Sequence, residues 1–162
     1  MIDLPNPELP IEKQDELILL AMLVWGESRG ESDDAKLAVA NVVRNRVLAG
    51  IYGGDSWYSV ILSPEQFSCF NSNERSKLLE PLKWDSEKTW ESCYNVAYSV
   101  YLGTAKDNTM YDGKRATHYY SGERVPYWSS SMWPVVDIGP FKFFCDPRAF
   151  YSSSVSEDAL GG

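Results

Sequence analysis

The chain has 162 residues, 44% of them apolar and 23% charged, and a formal net charge of -8. That length and balance fit one folded domain with a real core and exclude wholesale disorder. The acidic charge argues against nucleic acid and anionic membrane surfaces as partners, and leaves neutral or amphipathic polymers open.

Residues 1–12 read as an extended N-terminal arm, because Pro5, Pro7 and Pro10 forbid a regular helix there. The arm has neither a basic segment nor an apolar one, so no signal peptide is expected and synthesis in the cytoplasm follows. A first helix is predicted from about Lys13 to about Glu27. Its broad apolar stripe (Leu17, Leu20, Ala21, Val24, with Leu23 and Trp25 beside it) suits a buried helix. The run from Leu17 to Trp25 is far too short to cross a membrane. Gly30 is the expected stop. Ser32 is the candidate N-cap of a second helix, with Asp33 and Asp34 in its first turn, where the helix dipole favours anions. Its inward face is Ala35, Val39, Val42, Val43 and Val47, and Gly50 ends it.

A glycine-rich turn leads to a short helix at about Trp57–Leu62 and then to a long polar loop, "SPEQFSCFNSNERS". Helical spacing returns from Asp85 to Leu102, where Trp90, Cys93, Tyr94, Ala97, Tyr98 and Tyr101 recur at intervals of three and four. Beyond Gly103, "ATHYYS" and "WPVVDIGPFKFFC" are β-branched and aromatic, and predict a small β-hairpin or two-strand unit joined by "GERVPYWSSSM". The Ser/Gly-rich residues 152–162 read as a flexible tail. The expected class is therefore α+β, mainly α, with one domain over residues 13–151.

Two carboxyl groups stand out in "WGESRGESDD", residues 25–34. Glu27 falls at the C-terminal, negative end of the first helix and beside Trp25, a setting that favours the protonated carboxyl. A carboxyl that keeps its proton is what protonation of a glycosidic oxygen requires. Glu31 precedes the second helix, at the positive end of a dipole, and should stay ionised. Glycines 26 and 30 read as openings that let a ligand approach. The same pair would also serve as two ordinary exposed helix-end carboxylates.

The other chemistry-bearing residues narrow the field. A single histidine, His118, excludes multi-histidine zinc hydrolases, and no metal or cofactor is expected. Cys69, Cys93 and Cys145 are odd in number and widely spaced, so buried reduced thiols are expected rather than disulfides. A Cys–His peptidase using Cys69 or Cys93 remains a formal alternative without a local nucleophile signature. Aromatic side chains make up 14% of the chain, with 6 Trp and 10 Tyr. Several lie in loops where they could stack on the C–H faces of sugars. Gln66, Ser68 and Asn71 stand beside two phenylalanines in "QFSCFN", a mixture suited to sugar hydroxyls and N-acetyl groups and equally to an ordered loop. Asn41 and Asn45 lie four apart on a helix of valine and alanine, and are expected to reach a cleft, cap a loop or face solvent.

These blocks together resemble the SleB/CwlJ-type cell wall hydrolases. "LAMLVWGESRGESDDAKLAVANVVRNRV" is similar to the family's apolar helix, E-x-R-G-E block and following helix with N-R-V. "SPEQFSCFN", "GTAKDNTMYDGKRATHYYS" and "IGPFKFFCD" are similar to its later blocks, so the likeness spans about residues 13–146. The histidine of the family's closing I-G-x-H strand is missing, since Phe141-Lys142 stand in that region, and the segment before "ATHYYS" is longer than usual.

The resemblance implies a lysozyme-like, transglycosylase-type fold. It also implies cleavage of the β-1,4 bond between N-acetylmuramic acid and N-acetylglucosamine of bacterial peptidoglycan. It places the catalytic acid/base on Glu27, with Gln66, Phe67, His118, Tyr119 and Tyr120 lining the cleft; Glu31, Ser68, Asn71 and Trp128 are further candidate substrate-binding residues. The implied reaction is that of a lytic transglycosylase giving 1,6-anhydro ends. The alternatives are a muramidase-type hydrolase using water and a non-catalytic peptidoglycan-binding module. A monomer without membrane insertion or nucleic-acid partner is expected. The setting would be that of a phage lysin released at lysis or carried on a virion.

Overall fold

The computed structural model describes residues 2–63, 67–70, 75–82 and 86–151. The element order is α1 (Glu16–Ser28), α2 (Asp33–Ala49), α3 (Trp57–Ile61), α4 (Glu87–Tyr101), β1 (Met110–Tyr111), β2 (Lys114–Arg115), β3 (His118–Ser121), β4 (Trp133–Ile138), β5 (Phe141–Cys145) and α5 (Pro147–Tyr151). Short 3-10 turns cover Ile11–Lys13, Ser68–Phe70, Arg75–Leu82 and Tyr127–Ser131. The predicted tail falls on residues 152–162, outside those described.

Capping chemistry places the helix starts. Asp15 accepts from the Leu17 amide at 2.9 Å and opens α1 three residues later than the apolar pattern suggests. Ser32 caps α2 by accepting from Ala35, and Ser56 caps α3 in a reciprocal box with Ser59. Gly50 ends α2 in the left-handed conformation at φ 70°. Gly30 does not end α1 in this way. The helix stops after Ser28 with Arg29 still at helical angles, and the turn that follows carries Glu31, whose amide donates to the Ser28 carbonyl at 2.9 Å.

Helices α1 and α2 form the centre. Every residue from Ile18 to Trp25 is buried, so α1 is apolar all round and enclosed by neighbours. It packs on α4, where Trp25 meets Trp90 edge to face with ring centroids 6.3 Å apart. On α2 the burial extends beyond the valines to Asn41, Arg44, Asn45 and Arg46. Neither asparagine faces solvent, and Asn45 caps a loop instead, donating to Asp107, Thr109 and the Ala116 carbonyl. The N-terminal residues lie against the helices: Trp90 Nε1 donates to the Asp3 carbonyl at 2.7 Å, and the buried Gln14 amide bonds Asn6 and Leu9.

The strand region is larger than a hairpin. An antiparallel sheet has the order β3-β5-β4, with Tyr119 opposite Phe143 and Phe143 opposite Val136. A separate two-residue ladder, β1–β2, closes through Asp112 and Gly113, both at positive φ. Alternation along the strands puts Tyr119, Ser121, Phe141 and Phe143 on the face toward the helices, and His118, Tyr120 and Phe144 on the other.

Candidate active site

The last turn of α1 and the first residues after it border a shallow depression of about 290 Å³. Gly26 to Glu31 form one wall, and Ser121, Pro140 and Phe141 from the end of β3 and the β4–β5 turn form the other. Glu27 and Glu31 therefore share one concavity. Glu27 is half-buried at the penultimate position of α1. The Tyr119 hydroxyl donates to Glu27 Oε1 at 2.9 Å, joining residues 92 apart in sequence. Burial, together with the charge and hydrogen bond of Glu27, pushes the Tyr119 phenol well above its ordinary pKa of 10, so it stays protonated and remains the donor.

Tyr119 is set by the sheet on one side, with its ring 5.4 Å from that of Phe141 and 5.6 Å from that of Phe143. Arg29 does not meet Glu31. Its guanidinium lies over the Trp25 ring at 5.3 Å and donates to the Trp25 carbonyl. The two glycines differ in role. Gly30 faces open space, whereas the side of Gly26 where a β-carbon would stand is pressed against Cys69 and Leu78.

Strand alternation divides the remaining expected binding residues. Tyr119 faces Glu27. His118, Tyr120 and Trp128 meet on the opposite face of the sheet, where Trp128 lies 5.1 Å from His118, 6.1 Å from Tyr120 and 5.7 Å from Phe144. Burial, and then the Arg46 charge, hold the His118 imidazole down at about 3, so it is neutral across the physiological range. Its Nδ1 pairs with the Thr117 hydroxyl at 3.0 Å. Phe67 is buried beneath Arg46 rather than presented to a cleft. Gln66, Asn71 and the side chain of Ser68 lie outside the described residues.

A polar network absent from the sequence-derived site lies below. The Arg46 guanidinium is buried between the rings of Tyr52 (4.9 Å) and Phe67 (5.0 Å), and its Nε donates to the Thr117 carbonyl at 2.6 Å. Tyr52 donates to Asp146 at 2.6 Å, and Arg148 bonds the same carboxylate. Burial alone would raise the Asp146 pKa, but the hydrogen bonds from Arg148 and Tyr52 hold it down at about 2. The signal for Arg46 was present in the sequence. It follows Val39 by seven, Val42 by four and Val43 by three, and so stands on the apolar stripe of α2.

The thiols do not form a nucleophilic site. All three cysteines are buried, and burial pushes Cys93 up to about 11 and raises Cys145. Among the described residues no group of three His, Cys, Asp or Glu side chains is placed to hold a metal ion, and no helix is long and apolar enough to cross a membrane.

No curated protein sequence matches the chain. Among solved structures, the catalytic domain of the germination-specific lytic transglycosylase SleB from Bacillus anthracis is similar, with a TM-score of 0.58 at 22% identity. The match covers 88% of this chain and 100% of that one, and it establishes the shared lysozyme-like fold. The sequence profile described as Cell Wall Hydrolase matches residues 30–144, so of the two glutamates it includes Glu31, while Glu27 lies just ahead of it. That stretch is well over half of the chain, which accordingly belongs to the cell wall hydrolases of the SleB/CwlJ type, enzymes that degrade peptidoglycan.

Proposed function

We propose that the chain cleaves the β-1,4 bond between N-acetylmuramic acid and N-acetylglucosamine as a lytic transglycosylase, with Glu27 as the acid and then the base. The observation that carries this reading is the Tyr119–Glu27 hydrogen bond at the edge of an open depression. It fixes one carboxyl oxygen on a helix end, while the concavity beside it can admit a polymer. In this reading the Glu27 carboxyl carries the acidic proton.

That proton passes to the glycosidic oxygen as the bond from C1 to that oxygen breaks, releasing the 4-hydroxyl of N-acetylglucosamine. The muramoyl 6-hydroxyl then closes onto C1 and returns its proton to Glu27, giving a 1,6-anhydro end. One carboxyl serves both steps, so no second catalytic acid is required. Glu31 borders the same depression, and in this reading it binds a sugar hydroxyl or N-acetyl group. The reading extends to a phage-encoded lysin or a virion-borne wall enzyme.

Mass spectrometry of muropeptides released from purified walls tests the proposal. Wild-type protein should yield anhydro-muramoyl ends, and Glu27→Gln should lose about 100-fold or more of the activity. Reducing ends carrying an added water would favour the hydrolase alternative. Full activity in Glu27→Gln would remove Glu27 from the chemistry.

A further inference from the structure

The N-R-V stretch of α2 has no part in the chemistry above, yet two of its residues are buried polar groups aimed at the same short segment. Asn45 Nδ2 donates to the Ala116 carbonyl at 2.9 Å and to Asp107 Oδ2 at 3.0 Å. Arg46 Nε donates to the next carbonyl, Thr117, at 2.6 Å. The rest of Thr117 is also committed. Its amide donates to the Phe144 carbonyl at 2.8 Å, and its hydroxyl accepts from the Asp146 amide at 2.9 Å. Residues 116 and 117 are the entry to β3, and Tyr119 follows two positions later, about 7 Å along the strand.

A buried guanidinium is a poor device for stability alone, because an apolar side chain of similar volume often serves as well or better. Its value lies in fixing a geometry. Here the geometry ends on a reacting group: Tyr119 reaches from β3 to Glu27 Oε1 at 2.9 Å. The stacking of Arg46 on Phe67 extends the same anchor to the 67–70 segment, whose Cys69 abuts the α1 turn that carries Glu27. Arg46 thus braces both sides of the Tyr119–Glu27 pair from beneath.

We propose that Asn45 and Arg46 are positioning residues for the reaction, holding the entry of β3 so that the Tyr119 hydroxyl meets the Glu27 carboxyl. The inference rests on the reading of Glu27 as the acid/base. It predicts that these two residues act through Tyr119 and not beside it.

A double-mutant cycle on the full chain tests this, with kcat and KM measured on soluble glycan fragments and folding checked by circular dichroism. Tyr119→Phe should lower kcat by roughly 10-fold to 100-fold with little change in KM. Arg46→Lys, folded, should show the same split, and the double variant should be no slower than the slower single one. Where Arg46→Lys does not fold, Asn45→Ser in the same cycle carries the test, since it cuts only the tie to residues 107–116. Losses that multiply, or a fall in activity matched by a fall in folded fraction alone, would overturn the inference. Glu27→Gln is run alongside. If it is inactive while the losses multiply, only the positioning role fails; if it is fully active, the acid/base reading itself fails.

Discussion

A β-carbon added to Gly26 would fall 2.4 Å from Cys69 Cβ and 2.8 Å from its sulfur. The glycine directly before Glu27 therefore exists for close packing, letting the 67–70 segment lie against the last turn of α1. Its φ is not positive, so alanine would fit the backbone and, by helix propensity alone, add up to ~1 kcal/mol. The steric cost reverses that sign. Gly26→Ala is expected to lose about 1–3 kcal/mol from overpacking, a few degrees in Tm for a chain of this size. Because the displaced turn carries Glu27, wall-lytic activity should fall by about 10-fold or more in protein that is still folded. Thermal unfolding and muropeptide release on the same sample check both parts. A Gly26→Ala protein as stable and as active as wild type would mean that the contact is easily relieved.

The His118 environment sets a pH dependence on stability. Its folded-state pKa, about 3, is below the ordinary 6.5, so the folded protein holds it neutral while the unfolded chain takes up a proton. The resulting stability is fully present above about pH 6.5 and is lost as pH falls toward 3. By pH 5 the loss from this group is about 2 kcal/mol. Asp146, held at about 2, adds a second loss that begins near its unfolded pKa of 3.8. Denaturant unfolding between pH 7.5 and pH 4.5 measures the first effect in isolation. Wild type should weaken steadily below pH 6.5, and His118→Gln should show a flatter profile. Parallel profiles would show that burial of the imidazole does not govern acid stability.

Helices α1 to α4 were legible because each has a local signal that tertiary contacts do not override, such as Ser32 and Ser56 as caps, Gly50 as a left-handed stop and an apolar stripe along α1 and α4, whereas α5 was not foreseen. The helix-end position of Glu27 was legible for the same reason, since it follows from where the apolar period stops. The β1–β2 turn was legible in principle, because Asp112-Gly113 between short strands is a strong hairpin signal. What pattern alone could not show is which neighbours face one another across a sheet. "HYY" reads as three adjacent binding residues, but strand alternation sends Tyr119 to Glu27 and its two neighbours to the Trp128 cluster. The Arg46 network lay hidden for a related reason. The buried charge of Arg46 on an apolar stripe is explained by the rings of Tyr52 and Phe67 on either side and by a carbonyl 71 positions away.

Glu31 is the residue on which the two catalytic readings part. It borders the same depression as Glu27, follows the α1 turn with its amide N–H donating to the Ser28 carbonyl, and makes no ion pair with Arg29, which is committed to Trp25. If one carboxyl performs both proton transfers, Glu31 has no proton to move and contributes at most a contact to the sugar. Glu31→Gln should then keep kcat within about 10-fold of wild type and still release anhydro ends, with any larger change appearing in KM. If Glu31 instead activates water, the amide cannot accept the proton, and kcat should fall by about 100-fold or more. Steady-state kinetics with mass analysis of the products separates the cases. An inactive Glu31→Gln protein with native circular dichroism would rule out the single-carboxyl mechanism and make Glu31 the second catalytic group.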